Sequence, residues 1–151
     1  MWLISQAFKW SLKSQGIKCY HRRFTMIGLK RGTVKLVPHN SKWVELFEEE
    51  KQLFKKTFGG TILAIEHIGS TAIPGIPAKP IIDINIGVES LNVARSMKDK
   101  FEKLGYGHRP FVPGHTKKQL NWQELYVKGP EWKRTHHAHV TVYGNNYWKN
   151  D

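Results

Sequence analysis

Cys19 is the only cysteine in the chain. A lone thiol excludes an intramolecular disulfide and a cysteine-based zinc site, and it suits a reducing compartment, so the expectation is a cytoplasmic protein. No apolar run reaches about eighteen residues, the length a membrane-spanning helix needs. Internal repeats and low-complexity tracts are absent as well, which removes solenoids and disordered arrays from consideration. Acidic residues are missing from the whole stretch before Glu45, while eight Lys and Arg residues fall within positions 1–35. The formal net charge of +12 is therefore uneven: beyond position 35, 16 basic and 12 acidic residues differ by only four. A small phosphorylated substrate is enough to explain that mild excess, and a nucleic-acid groove is not required.

What is there is enough for one domain. A chain of 151 residues can bury a proper core but is too short for two ordinary domains. Residues 1–33 read as a basic N-terminal extension rich in Trp and Phe, outside the catalytic argument, and three origins stay open for it. It is a translated leader with Met26 as the working start, an amphipathic element for anionic membrane or nucleic acid, or a segment of transit-peptide composition. Val34–Val37 reads as a short strand ended by Pro38. Asn40 or Ser41 caps a helix over 42–58, with Trp43, Leu46, Phe47, Leu53, Phe54 and Phe58 as its apolar stripe and Gly59-Gly60 as its stop. Glu45, Glu48, Glu49 and Glu50 look like an acidic cluster, but on a helix they are expected to be a solvated face. Ser90 caps a second helix over 91–104, with Leu91, Ala94, Met97, Phe101 and Leu104 inward. Residues 106–120 read as a loop that includes His108 and His115, 121–128 as a strand, and 135–143 as the last strand. Two helices alternating with four or five strands predict a single α/β (α+β) domain over 34–151, with helices packed on a mixed sheet.

Chemistry concentrates in residues 61–88, TILAIEHIGSTAIPGIPAKPIIDINIGV. The pattern is strand, Gly-Ser turn, Pro-punctuated connection, strand. Period two places Ile82, Ile84, Ile86 and Val88 on one face of the second strand and Asp83 and Asn85 on the other. An acid and an amide beside a Gly-Ser turn point to a cation and a phosphate, because the turn offers N–H groups and a hydroxyl to phosphate oxygens while the carboxylate holds a metal. Gly69, Ser70 and Thr71 would form that cradle. Lys79 either neutralises the same phosphate or is an exposed lysine before Pro80. On the last strand, Thr135, His137, His139, Thr141 and Tyr143 share one face, and His136, Ala138, Val140 and Val142 share the other. His137 and His139 can ligate a metal or act as general base, and Arg134 is a candidate phosphate clamp. His67 can face either way.

The spacing of Ile68-Gly69-Ser70 and Asp83-Ile84-Asn85-Ile86 resembles the nucleotidyltransferase superfamily related to DNA polymerase beta. More narrowly, IEHIGSTAIPGIPAKPIIDI, KGPEWKRTHHAHVTVYG and VKLVPHNSKWVELFEEEK resemble the GrpB family. The resemblance implies a nucleotidyltransferase-type fold, Mg2+ held by Asp83, and a nucleoside triphosphate on the Gly69–Thr71 turn. The amide oxygen of Asn85 can add a neutral ligand to the metal, and His137 or His139 would take over missing carboxylate function as ligand or base. That makes Asp83, His137 and His139 the catalytic candidates. Two departures stand out. Asn85 occupies the place of a second carboxylate, and the chain stops where family members continue into another helix, which gives it the look of a truncated copy. Glu124 is the only acid in the strand-like run where a third carboxylate would fall, and a structural role is the favoured reading for it.

Three functions follow as expectations. The first is Mg2+-dependent nucleotidyl transfer to an unknown acceptor. The second is a catalytically degraded module that still binds a nucleotide or phosphate, consistent with fusions of this family's domain to dephospho-coenzyme A kinases. The third, ranked last, is a histidine-based phosphoesterase, for which Thr141 stands where a histidine triad needs a third imidazole.

Overall fold

The computed structural model describes residues 27–110, 123–146 and 148. Five strands form one mixed sheet in the order β1-β2-β5-β4-β3. They are β1 Ala64–Ile68, β2 Ile82–Val88, β3 Tyr106–His108, β4 Gln123–Lys128 and β5 His136–Val142. The central pair, β2 and β5, runs parallel, and every other pair is antiparallel. The α+β class expected from the alternation of elements is the one observed.

Helix α1, Lys42–Phe58, has the boundaries that its apolar stripe and the Gly-Gly stop predict. Of the two candidate caps it is Asn40 that acts, its Oδ1 accepting from the Lys42 backbone N–H at 3.0 Å. Trp43, Phe47, Phe54 and Phe58 are buried against the isoleucine face of β2, where Ile82, Ile84, Ile86 and Val88 are fully buried. Ala94, Met97, Phe101, Tyr106, Tyr126, Ala138 and Val140 complete this single core. All helices therefore pack on one face of the sheet, a burial of aromatic and branched side chains that is the main favourable term of folding.

The second expected helix is interrupted. Ser90 does cap it, its Oγ accepting from the Val93 N–H at 3.3 Å, but α2 spans Leu91–Ser96 and α3 spans Lys98–Lys103. The Ser96 hydroxyl donates to the Val93 carbonyl at 2.8 Å, a local bond that competes with helix continuation. The inward residues Ala94, Met97 and Phe101 are the predicted ones.

Other differences lie at the sheet edges. Val34–Val37 is not a strand: only Val37 bridges, to Ala78, and Val34 and Leu36 are exposed. Residues 106–108 belong to β3 rather than to a loop, whereas positions 111–122, with His115, lie outside the described residues. The chain also enters the fold ahead of position 34. Ile27 is buried, the Gly28 N–H donates to the Pro80 carbonyl at 2.7 Å, and Leu29 and Arg134 exchange backbone hydrogen bonds of 2.9 and 3.0 Å.

Candidate functional site

The face of the sheet away from the helices carries the polar residues. In the parallel register Asp83 lies beside His137 and Asn85 beside His139, so the period-two reading of both strands holds. His137 Nδ1–H donates to Asp83 Oδ1 at 3.1 Å, and His139 Nε2 stands 3.8 Å from the same oxygen. Burial alone would raise the Asp83 pKa. The hydrogen bonds and positive charge of the two imidazoles outweigh it and bring the pKa down to about 2, which favours the ionised carboxylate.

Gly69 links this carboxylate to the turn. Its φ of +72° lies in the left-handed region, and a Cβ there would come within 3.0 Å of Asp83 Oδ2. Only glycine satisfies both the conformation and the close approach. After it, Ser70–Ala72 forms one 3-10 turn. Ser70 lines a cleft of about 380 Å³ with Asp83, His137, Lys79 and Arg134. The remaining wall comes from residues 29–34, including Lys30 and Arg31. Four cationic side chains thus surround a hydroxyl and one carboxylate. Glu131 offsets part of this charge, pairing with Arg134 at 3.3 Å and Arg31 at 3.6 Å.

Several expected site residues have other work. Thr71 is buried, and its hydroxyl donates to the Ile81 carbonyl at 3.1 Å. It therefore accepts from His67 Nε2–H at 3.0 Å, which leaves it no hydrogen for a phosphate. His67 turns to the helix side and stacks on Phe47 with ring centroids 4.8 Å apart, and burial, against the field of Asp83, lowers its pKa. Glu124 lies on the opposite face from Asp83, beside Val140 in register. It receives Arg95 Nε–H at 2.9 Å and pairs with His108 Nε2 at 2.7 Å. It is structural, as the sequence reading favoured, and it partners His108. Glu50 also departs from expectation. Unlike Glu45, Glu48 and Glu49 it is buried, accepting from the Tyr106 hydroxyl at 2.7 Å and pairing with Lys128.

Asn85 bears directly on the metal that the resemblance implies. It has no exposed surface, and its Oδ1 accepts from the Thr141 hydroxyl at 3.1 Å. That hydroxyl in turn accepts from the Trp148 indole N–H at 2.8 Å. Mg2+ keeps several waters and takes oxygen ligands in near-octahedral geometry. A sealed amide and a carboxylate flanked by two imidazoles do not fit it.

Three contributors were not foreseen. Lys30 and Arg31 lay in the stretch read as an extension, and nothing in their spacing connects them with a turn forty residues later. Gln123 receives His139 Nδ1–H on its Oε1 at 3.2 Å. Its alternation with Glu124 was the available signal.

Fold and site together define an α+β domain with a basic cleft that Asp83 and His137 of an Asp–His–His cluster help to line. The sequence model of the family described as GrpB protein matches residues 33–151, and the chain belongs to the GrpB family. The "Glutamate-rich protein GrpB" of Alkalihalophilus pseudofirmus is 38% identical over 127 residues, covering 82% of this chain and 70% of that protein. The crystal structure of the conserved protein GrpB from Enterococcus faecalis aligns with a TM-score of 0.65 at 35% identity, over 75% of this chain and 64% of that one. A "Dephospho-CoA kinase" of Mycobacterium tuberculosis is 33% identical over 93 residues, 60% of this chain but only 23% of the kinase.

Proposed function

We propose that this chain is a nucleotide-binding domain of nucleotidyltransferase type whose cleft receives the phosphates of a nucleotide, and that it acts as a binding module. The observation that carries the reading is that Lys30, Arg31, Lys79 and Arg134 line one cleft together with Ser70. Guanidinium and ammonium groups around a hydroxyl match the charge and acceptor capacity of a phosphate, and charge-assisted hydrogen bonds are the strong ones. Binding is favoured over transfer by two features. Glu124 faces away from Asp83, and Asn85 is sealed by Thr141, so of the three positions at which an ordinary transferase carries carboxylates only Asp83 presents one to the site. Glu66, beside Asn85 in register on β1, is an exposed carboxylate on the same face. The dephospho-CoA kinase relative supports the module reading in a limited way, since the shared segment makes up less than a quarter of that protein.

The test is calorimetric titration of a panel of nucleoside triphosphates, with Mg2+ and with EDTA, into wild type and Arg134→Ala. Saturable binding that persists in EDTA and weakens tenfold or more in Arg134→Ala is the expected result, since a hydrogen bond between charged groups is worth about 1.5–3 kcal/mol. Binding that strictly requires Mg2+ restores the transferase reading. No binding to any nucleotide removes both.

A further inference from the structure

We infer that Asp83, His137 and His139 form a binding site for a first-row transition-metal dication of the Zn2+ class. The site is distinct in chemistry from the Mg2+ site that the resemblance implies. One ligand atom from each of the three side chains lies within 4.8 Å of the other two. Zinc binds imidazole nitrogen and carboxylate oxygen at about 2.0–2.2 Å, so the donors of a loaded tetrahedral site stand roughly 3.3 Å apart. The present separations of 3.1 and 3.8 Å to Asp83 Oδ1 bracket that spacing, and a bound dication would replace the proton that His137 Nδ1 donates to Asp83.

The orientation of His139 points the same way. Gln123 Oε1 accepts from His139 Nδ1–H at 3.2 Å, which leaves Nε2 as the ring atom turned toward Asp83, 3.8 Å from its Oδ1. A metal ion between that nitrogen and the carboxylate would be bound by both. An imidazole whose far N–H is fixed by an amide or carboxylate oxygen is the usual arrangement of a metal-bound histidine.

Donor type selects the ion. Two imidazoles and one carboxylate suit Zn2+, Fe2+ or Co2+, whereas Mg2+ prefers an all-oxygen shell. The strands hold the three donors with little freedom. Asp83 and His137 are neighbours across the central parallel pair, and His139 is two residues further along β5. Three protein ligands leave at least one coordination position open, and because Asp83 and His137 also line the basic cleft, that position is available to a phosphate oxygen or to water. The inference does not depend on nucleotide binding.

The test uses the full chain, stripped with chelator and then titrated with Zn2+, Mg2+ or Co2+ without nucleotide. Zn2+ is expected to bind saturably and at least a hundredfold more tightly than Mg2+, and Co2+ to give visible absorption bands that Zn2+ displaces. His139→Ala and His137→Ala should abolish the bands, and Gln123→Ala should weaken Zn2+ by about 10–100-fold. Arg134→Ala, which tests the phosphate cleft, should leave the bands unchanged. Circular dichroism of each metal-free variant separates loss of a ligand from loss of the fold, and if one histidine variant fails to fold the other carries the comparison. Zn2+ affinity no better than that for Mg2+ would overturn the inference, as would Co2+ bands that survive in folded His139→Ala.

Discussion

His136 is a buried imidazole on the helix side of β5, next to the Glu50–Lys128–Tyr106 group. Burial is the main reason its pKa falls to about 4. The Glu50 charge opposes the shift, while Lys128 and His137 reinforce it. A histidine held neutral in the fold stabilises the protein fully above its unfolded pKa near 6.5, and that contribution is lost as pH falls toward the folded value. The loss amounts to about 3 kcal/mol when complete. Urea denaturation at pH 7 and pH 5 should therefore show a clear drop for wild type and a smaller one for His136→Phe. Equal drops in the two proteins would assign the acid sensitivity to other groups.

At the level of elements, β5 is the strand to perturb. Val140 is fully buried, lying between Ile86 of β2 and Glu124 of β4 in register. Val140→Asp introduces an unpaired charge into the centre of the sheet, beside a carboxylate already committed to Arg95 and His108. Stability should fall by roughly 3–5 kcal/mol, to be read as loss of a cooperative thermal transition. A Tm near that of wild type would mean that the register differs from the one described.

How far the elements were legible follows from where their signals lie. α1, β2 and β5 each carry a complete local pattern: a period-3.6 stripe ended by Gly-Gly in the first, and strict alternation in the other two. Alternation put Asp83 on the polar face of β2 and His137 and His139 on that of β5, and the parallel pairing of the two strands joins those faces. Failures came where the deciding contact is distant. Glu50 sits in an acidic run that looks solvated, and only the arrival of Tyr106, 56 residues later, and Lys128, 78 residues later, makes a buried partner set. Thr71 looks like a phosphate ligand until His67 and Ile81 use its hydroxyl. The break at Met97 depends on a serine bond that helix propensity does not register.

The whole molecule draws its cleft from both ends of the described chain. Leu29 to Val34 supply one wall, and the segment clasps the loop before β5 through Leu29 and Arg134, while Arg31 N–H donates to the Glu131 carbonyl at 2.8 Å. A chain beginning at Met26 should keep the affinity of the full chain for the nucleotide found in the panel, while one beginning at Val34 should lose tenfold or more and melt at lower temperature. Identical affinity in both shortened chains would show that Lys30 and Arg31 contribute nothing to binding. No helix among the described residues is long and apolar enough to cross a membrane.

The parallel pairing of β2 with β5 has a kinetic consequence. Asp83 and His137 meet across 54 positions, with two helices and two strands threaded between them. Closing so large a loop costs entropy that is recovered only when the strands finally dock, and parallel pairing of distant segments is slow for that reason. A nascent chain that has emerged only as far as β4 therefore holds the turn and the aspartate but neither imidazole. The polar face becomes functional as a unit, at the last docking event, and its occupancy by a ligand would report that the sheet has closed.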